Sequence, residues 1–205
     1  QCTFTNKLKL EHQWYLVKEC FDGRVMFMTP TATGYVIISS GTTVHIDAAS
    51  SVDKIEIKTG GKLDGTANLT TTNFLFTNGS GYIAPTSGAW SIGSYMTFNG
   101  SGASTSAATI SVGDVLTIGS GTSLTMSAAL TVSSDLFVNS TLAMGNNTLT
   151  LNGNGAIING TGSITGSSTI TVSNGKTISS GTSLTISPTF AIANNTTVTN
   201  NGTVT

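Results

Sequence analysis

The feature that most constrains this chain is an internal repeat with a period of about 20 residues. The string Ser-Gly-Thr-(Ser/Thr)-(Leu/Val) occurs at 40–44, 120–124 and 180–184, so the separations of its copies are 80 and 60. Both separations are multiples of 20. Such a period indicates a chain built from one supersecondary unit per repeat, in which each unit packs on its neighbours.

Apolar residues recur in phase with this repeat. One series is spaced close to the period and comprises Ile38, Ile57, Phe76, Phe98, Ile118, Val138, Ile158, Ile178 and Val198. A second series, six positions further on, is the predicted core column: Val44, Leu63, Tyr82, Ser104, Leu124, Met144, Ile164, Leu184 and Val204. Ser104 is its one polar member. Nine members in each series predict nine coils.

Within each period the apolar residues alternate with polar ones, as in Leu116/Ile118 and Leu124/Met126. This alternation predicts short strands with one buried face. Segments such as Gly-Ser-Gly-Thr and Ser-Ser-Asp separate the strands and favour turns. Three strands and three turns in each repeat describe one coil of a parallel β-solenoid. The sequence therefore predicts an all-β fold, with the solenoid over 34–205 and a separate N-terminal cap over 1–33.

Composition excludes several classes of protein. Thr, Ser, Asn and Gly make up 103 of the 205 residues, whereas Asp, Glu, Lys and Arg together make 17. The net charge of −1 provides no basic surface for a phosphate backbone, so we expect no nucleic-acid partner. No apolar run is long enough to span a bilayer. Gln1 is interpreted as the start of a processed, mature chain, and the protein is expected to be extracellular.

The coils at 109–134 (TISVGDVLTIGSGTSLTMSAALTVSS) and 169–194 (TITVSNGKTISSGTSLTISPTFAIAN) resemble the right-handed β-solenoids of secreted surface, adhesin and fibre proteins. Among these, the chain is most similar to prokaryotic sheath and filament subunits. The resemblance covers about 34–205 and implies a right-handed parallel β-solenoid. Its motifs are architectural and are shared by many functions.

The N-terminal segment contains both cysteines, Cys2 and Cys20. A disulfide between them would covalently constrain the cap and would imply an oxidising, extracellular environment. Two free thiols are the alternative. The cap is also rich in apolar residues, and we predict that it docks against another molecule through Phe4, Leu8, Leu10, Trp14 and Tyr15.

The last predicted coil lacks a polar cap. An uncovered coil exposes unpaired backbone groups and an apolar cross-section. The sequence therefore predicts head-to-tail stacking with copies of the same chain, although a truncated longer chain or simple fraying is the alternative. The predicted self-assembly edge consists of Val198, Thr199, Thr203, Val204 and Thr205.

Signals for chemistry are weak. Gly175-Lys176-Thr177 ends like a phosphate-binding loop, but Ile170 stands where the first glycine is needed. His12 and His45 have no companions at metal-ligand spacing, and alternation places His45 on the surface. The charged residues between 47 and 64 fit a solvated edge better than paired catalytic carboxylates. We therefore expect no enzymatic activity, no metal and no cofactor.

These expectations combine into a self-assembling structural protein that forms an extracellular filament, sheath or surface layer. The alternative is a receptor-binding or adhesive fibre, viral or bacterial, that recognises a glycan and buries a lengthwise apolar stripe. Outward hydrophobicity is weak after residue 100, which favours the end-stacked polymer. An ice-binding face of Thr and Ser rows is a further, weaker alternative. Nine Asn-x-Ser/Thr sequons allow bound glycans: Asn68, Asn78, Asn99, Asn139, Asn146, Asn159, Asn194, Asn195 and Asn201.

Overall fold

The computed structural model describes the backbone of residues 3–10, 13–19 and 24–27 and the whole of residues 35–205. In these residues the protein is all-β and contains no helix. No helix in this part of the chain therefore has the length and apolarity that crossing a membrane requires.

The strands are short, and most contain three or four residues. In chain order they are β1 (Thr3–Leu10), β2 (Gln13–Glu19), β3 (Arg24–Phe27), β4 (Tyr35–Ile38), β5 (Thr43–Ile46), β6 (Ser50–Ile57), β7 (Lys62–Gly65), β8 (Leu69–Thr77), β9 (Tyr82–Pro85), β10 (Ala89–Ile92), β11 (Tyr95–Phe98), β12 (Ala103–Ser106), β13 (Thr109–Val112), β14 (Leu116–Ile118), β15 (Ser123–Met126), β16 (Leu130–Val132), β17 (Leu136–Val138), β18 (Thr141–Ala143), β19 (Leu149–Leu151), β20 (Ala156–Asn159), β21 (Ser163–Thr165), β22 (Thr169–Val172), β23 (Lys176–Ile178), β24 (Ser183–Ile186), β25 (Thr189–Ile192), β26 (Val198–Asn200) and β27 (Thr203–Val204).

From β4 onward the chain winds as a parallel β-solenoid with three faces. Face 1 consists of the first halves of β6 and β8 followed by β10, β13, β16, β19, β22 and β25. Face 2 consists of β4, the second halves of β6 and β8, and then β11, β14, β17, β20, β23 and β26. Face 3 stacks β5, β7 and β9 beneath β12, β15, β18, β21, β24 and β27, and its strand pairing is interrupted once, between β9 and β12.

The solenoid fold and its period confirm the sequence prediction. Paired residues on adjacent coils are typically 20 apart, as for Met96 and Leu116 or Leu124 and Ser104. The described residues make about eight turns, because face 1 has eight strands where faces 2 and 3 each have nine from β4 onward. The predicted count of nine complete coils is therefore one too high.

The interior is a continuous apolar column between the three faces. Of the predicted core column, the structure buries Val44, Leu63, Leu124, Met144, Ile164 and Leu184. The prediction is wrong at Tyr82, which is half-buried at the start of β9. Ile83 occupies the inward position instead and pairs with Leu63. The cause is the coil length, because Ile83 completes a full period after Leu63 and Tyr82 falls one position short of it.

Met144 is buried but lies one inward position beyond the predicted column. Leu142 pairs with Leu124 on one side and with Ile164 on the other, so Leu142 is the true column member. The coil joining β15 to β18 is two residues shorter than the period, which a strict spacing of 20 cannot detect.

The repeated Ser-Gly-Thr string forms the turn between faces 2 and 3. Its glycines, Gly41, Gly121 and Gly181, have φ values of 73°, 81° and 82°. This left-handed backbone is accessible to glycine at little cost, which explains why the same residue returns at this corner. Gly100 occupies the corresponding corner at φ 115°, and a Cβ added there would lie 2.3 Å from the Gly79 carbonyl oxygen.

The three N-terminal strands extend the sheet of face 3. Strands β1 and β2 are antiparallel, β2 and β3 are antiparallel, and β3 pairs in parallel with β5. The segment predicted as a cap therefore shares a sheet with the solenoid through β3. Cys2 and Cys20, and with them the predicted disulfide, lie outside the described residues.

Candidate functional site

The strands β25, β26 and β27 form the last coil that the structure describes. Each of these strands has one hydrogen-bonded neighbour among the described residues. Ile192 pairs with Val172 on the preceding coil, and both side chains point inward. Ile192 is 48% exposed, whereas Val172 is fully buried. The contrast arises because the inner apolar rows continue into this coil, and no described residue lies above it.

Four further inward side chains of this end surface are half-buried and pack on the core: Ile186, Phe190, Val198 and Val204. The end surface, defined as these residues with Ile192, includes two members of the predicted self-assembly edge, Val198 and Val204. Thr199, Thr203 and Thr205 are exposed and alternate with the inward side chains.

The backbone hydrogen bonds identify which groups face away from the solenoid. The N–H of Thr203 donates to Thr182 O at 2.9 Å, and the N–H of Thr205 donates to Leu184 O at 3.1 Å. Because donors alternate along a parallel strand, the N–H of Val204 points away from β24. The threonines of the predicted edge therefore bind the preceding coil, and the donors available to a further strand belong to the alternate residues.

The predicted docking residues lie on the other end of the face 3 stack. Phe4, Leu8 and Leu10 are on β1, the edge strand of its sheet among the described residues, and Trp14 and Tyr15 are on β2. In register, Leu8 pairs with Tyr15. Thus β1 and β27 are opposite ends of the strand stack that forms face 3.

The charged residues of the early coils form ion pairs on the outer surface. Glu56 accepts hydrogen bonds from Lys58 Nζ and from the Tyr35 hydroxyl. The Lys58 contact, followed by the Tyr35 contact, lowers the pKa of Glu56. Burial, reinforced by the Glu56 contact, raises the pKa of Tyr35 to about 12. Glu56 is thus held as a carboxylate by structural contacts.

A second ionic cluster lies on face 3. Asp64 is buried, its Oδ2 lies 2.6 Å from Lys62 Nζ, and its Oδ1 contacts His45 Nδ1. His45 points outward, as predicted, but it is partly covered by this contact. The described residues contain no group of three or more His, Cys, Asp or Glu side chains able to hold a metal ion.

Lys176 is a buried charged side chain in the interior of the solenoid. Its backbone begins β23, between Ala156 and Val198 in the inward row of face 2, and the residue is 2% exposed. Its Nζ donates to the carbonyls of Gly153 and Asn174. Burial lowers the pKa of Lys176, and the charge of Asp135 opposes that shift. The segment that ends like a phosphate-binding loop therefore continues into β23 and places its lysine in the interior.

The outer surfaces of the three faces differ in chemistry. On face 1, the outward positions from β8 to β25 carry only Thr, Ser and Ala. Face 2 instead has an outward aromatic and aliphatic stripe, in which Phe74 stacks on Tyr95 with ring centroids 5.3 Å apart. The sequence analysis missed this stripe because it grouped Phe76 in one periodic series with Ile57 and Phe98, which the structure buries. The structure places Leu75 and Thr77 inside, so Phe74 and Phe76 point outward.

Comparison with protein-family models, with curated proteins and with solved structures finds no match to this chain.

Proposed function

We propose that this chain is a structural, non-enzymatic extracellular protein that assembles head to tail into a filament, sheath or surface layer. The observation that carries the proposal is the end surface, where inward side chains of the solenoid are open to solvent. Ile192, at 48% exposure, is the most open of them. A further coil with the same period would cover this surface with the contacts that already join each coil to the next.

The proposed contact needs no new type of interaction. Burying a side chain of the size of Ile or Phe contributes roughly 1.5–3 kcal/mol when it is complete, and the end surface has five such side chains partly buried already. Association costs about 4–15 kcal/mol in lost freedom, so apolar burial alone gives weak stacking. The outward N–H and C=O groups of β25, β26 and β27 supply the remainder as a β-strand addition.

Charge on the last described coil does not oppose this stacking. After Asp64, the chain contains only Asp114, Asp135 and Lys176, and none of these lies in the last coil. The β1 edge of the next copy, with Phe4, Leu8 and Leu10, is the proposed partner of β27, so the strand stack of face 3 would continue from one copy into the next.

The test compares two charged substitutions on the same strand. Ile192→Asp places a carboxylate in the end surface, whereas Ala191→Asp places it on the outward side of β25. Negative-stain microscopy and sedimentation of the 205-residue protein should show filaments for the wild type and for Ala191→Asp, and none for Ile192→Asp. Discrete wild-type particles, or filaments in both variants, would refute end stacking; discrete wild-type particles would fit a longer chain that covers the same surface with its own next coil.

A second candidate function is supported by face 1. Its outward side chains form two aligned rows on a parallel sheet, about 4.8 Å apart along the solenoid and about 6.6 Å apart along each strand. Regularly spaced hydroxyl groups of this kind suit the repeating lattice of an ice surface. The rows lack charge and consist of Ala89, Thr109, Ala129, Thr148, Thr169 and Thr189 in one, and Thr70, Ser91, Ser111, Thr131, Thr150, Thr171 and Ala191 in the other.

Thermal hysteresis measures this second candidate directly. If face 1 binds ice, the wild type should separate the freezing and melting temperatures, and Thr150→Lys in the middle of one row should abolish the gap. Thr125→Lys, at an exposed outward position on face 3, serves as the control. A wild-type solution that freezes without hysteresis would remove this candidate and leave the structural proposal unaffected.

A further inference from the structure

The outward stripe of face 2 is the most apolar surface of the described solenoid. Its residues lie at the two outward positions of successive strands and in the turn before β14: Tyr35, Ile37, Phe74, Phe76, Tyr95, Val115, Phe137 and Ile157. By contrast, the corresponding outward positions of faces 1 and 3 carry one Phe, Tyr or Trp residue between β5 and β27, which is Tyr82. Ile37 and Tyr95 are 45% and 39% exposed. The charged pair Lys54 and Glu56 interrupts the stripe at β6. Apolar surface of this kind with polar residues around it marks an interaction site.

We propose that face 2 pairs side by side with face 2 of a second copy, with the two solenoids parallel and in register. This lateral contact is separate from the proposed end stacking and does not depend on it. Both partners then have the same coil spacing of about 4.8 Å, so a row on one copy stays opposite a row on the other along the whole face.

The register of the outward rows fits a twofold axis that runs along the solenoid. Such an axis places the first outward residue of each strand opposite the second outward residue of the same strand in the partner. On β4 this brings Tyr35 to Ile37, and on β8 it brings Phe74 to Phe76. Apolar side chains therefore meet apolar side chains in those two strands, whereas Tyr95 meets Thr97 at β11 and Phe137 meets Asp135 at β17.

Charge complementarity supports the same register. On β6 the two outward residues are Lys54 and Glu56, which lie between the apolar pairs of β4 and β8. The parallel twofold places Lys54 opposite Glu56 of the second copy, whose side chain is 14% exposed and also binds Lys58 and Tyr35 of its own chain. The Lys54 side chain is 38% exposed and its Nζ is 3.6 Å from Asp53 Oδ2, so the ammonium group is accessible to a partner carboxylate.

The size of the face reaches that of a specific interface. Nine strands at about 4.8 Å and a strand width of about 13 Å give a face of roughly 40 by 13 Å. Two such faces bury on the order of 1,000 Å² in total, the lower end for specific protein contacts.

The ring geometry favours a protein partner over a glycan. Phe74 and Tyr95 are nearly parallel, with an interplanar angle of 10°, and they stack along the solenoid axis. Their faces are therefore turned toward each other, and their edges point outward. A pyranose ring stacks on an exposed ring face, whereas edges and methyl groups suit interdigitation with another apolar stripe.

The experiment measures mass in a background that cannot stack end to end. Ile192→Asp protein should sediment at twice the 20.9 kDa chain mass at about 10 µM. Adding Ile37→Ser and Tyr95→Ser should raise the dissociation constant about 100-fold, since buried aromatic and aliphatic anchors dominate such contacts. Ala89→Ser with Ala129→Ser on face 1 is the matched control and should leave the mass unchanged.

A second variant keeps the test independent of folding defects. Lys54→Glu changes an exposed side chain only, and it places like charges opposite each other across the proposed twofold. It should weaken the pair with unchanged circular dichroism. A monomeric Ile192→Asp protein at about 100 µM would overturn the proposal, as would a dimer that Ile37→Ser with Tyr95→Ser leaves intact. A protein that stays monomeric, and whose face 2 backbone amides exchange hydrogen more slowly when an oligosaccharide is added, would assign the stripe to a glycan instead. Failure of end stacking changes none of these outcomes.

Discussion

Leu124 tests whether the coils are stacked in the register described. Its side chain is fully buried on β15, between Ser104 on β12 and Leu142 on β18. Leu124→Ala removes apolar groups worth about 0.8 kcal/mol per methylene and leaves a cavity that the hydrogen-bonded strands on both sides hold open. Since Ser104 is small, its side chain offers little to fill that cavity. We expect a loss of about 3–5 kcal/mol in the free energy of unfolding.

The control is Thr125→Ala on the same strand, because Thr125 points outward and is exposed. Exposed substitutions of this kind change stability by about 0.5 kcal/mol or less. Urea denaturation followed by far-UV circular dichroism gives both values, with the slope of the transition checked for a common two-state process. If the two variants lose equal stability, Leu124 is not an inward residue and the register is wrong.

Three further predictions concern residues whose roles became clear from the structure. Ser104→Ala should cost about 1–3 kcal/mol in urea denaturation, since the Ser104 hydroxyl accepts a hydrogen bond from the N–H of Ile83 at 3.2 Å and alanine leaves that buried donor unpaired; an unchanged midpoint would contradict this role. Gly100→Ala should lower the melting temperature, because φ is 115° and the new Cβ would meet the Gly79 carbonyl oxygen; Gly41→Ala, with nothing within 4 Å of its Cβ, isolates the cost of the positive φ alone. For Lys176, burial lowers the folded-state pKa, so the native state releases its proton before the unfolded state does and stability rises with pH between the two pKa values. The stability of the wild type relative to Lys176→Met should therefore increase as the pH is raised from neutral toward the ordinary lysine pKa. A stability difference that does not change with pH would show that the Lys176 amine is solvated in the folded protein.

The sequence predicted the fold because the 20-residue period and the alternation of apolar and polar residues both indicate a coil of short strands with one buried face. A coil of nearly constant length must return each inward position to the same row, so Val44, Leu63 and Leu124 followed from spacing alone. Spacing failed where coil length varies. The register at Tyr82 was wrong by one residue because the predicted series used a spacing of 19 after Leu63, where the structure has the full period of 20. The register at Met144 was wrong by two because the coil from Leu124 to Leu142 has 18 residues.

Outward chemistry was harder to predict than the interior. The two phenylalanines at 74 and 76 have the hydrophobicity of core residues, and only the pairing of Leu75 with Ile55 shows that they point outward. Lys176 has the opposite character, since a lysine is normally placed on the surface. Its burial depends on the carbonyls of Gly153 and Asn174, which belong to two different turns. Such contacts are properties of the stacked coils and leave no local pattern in the sequence.

The most direct test of the proposed assembly is the subunit rise along the filament, measured by cryo-electron microscopy. End stacking adds one copy per solenoid length. At about 4.8 Å per strand, this length is about 43 Å for the nine strands of face 2 and about 58 Å for the twelve strands of the face 3 stack, which begins with β1 and ends with β27. We predict a subunit rise between these two values. The distance between neighbouring strands should stay at about 4.8 Å across the junction between copies. A filament with strands parallel to its axis, or a rise unrelated to the solenoid length, would contradict head-to-tail assembly.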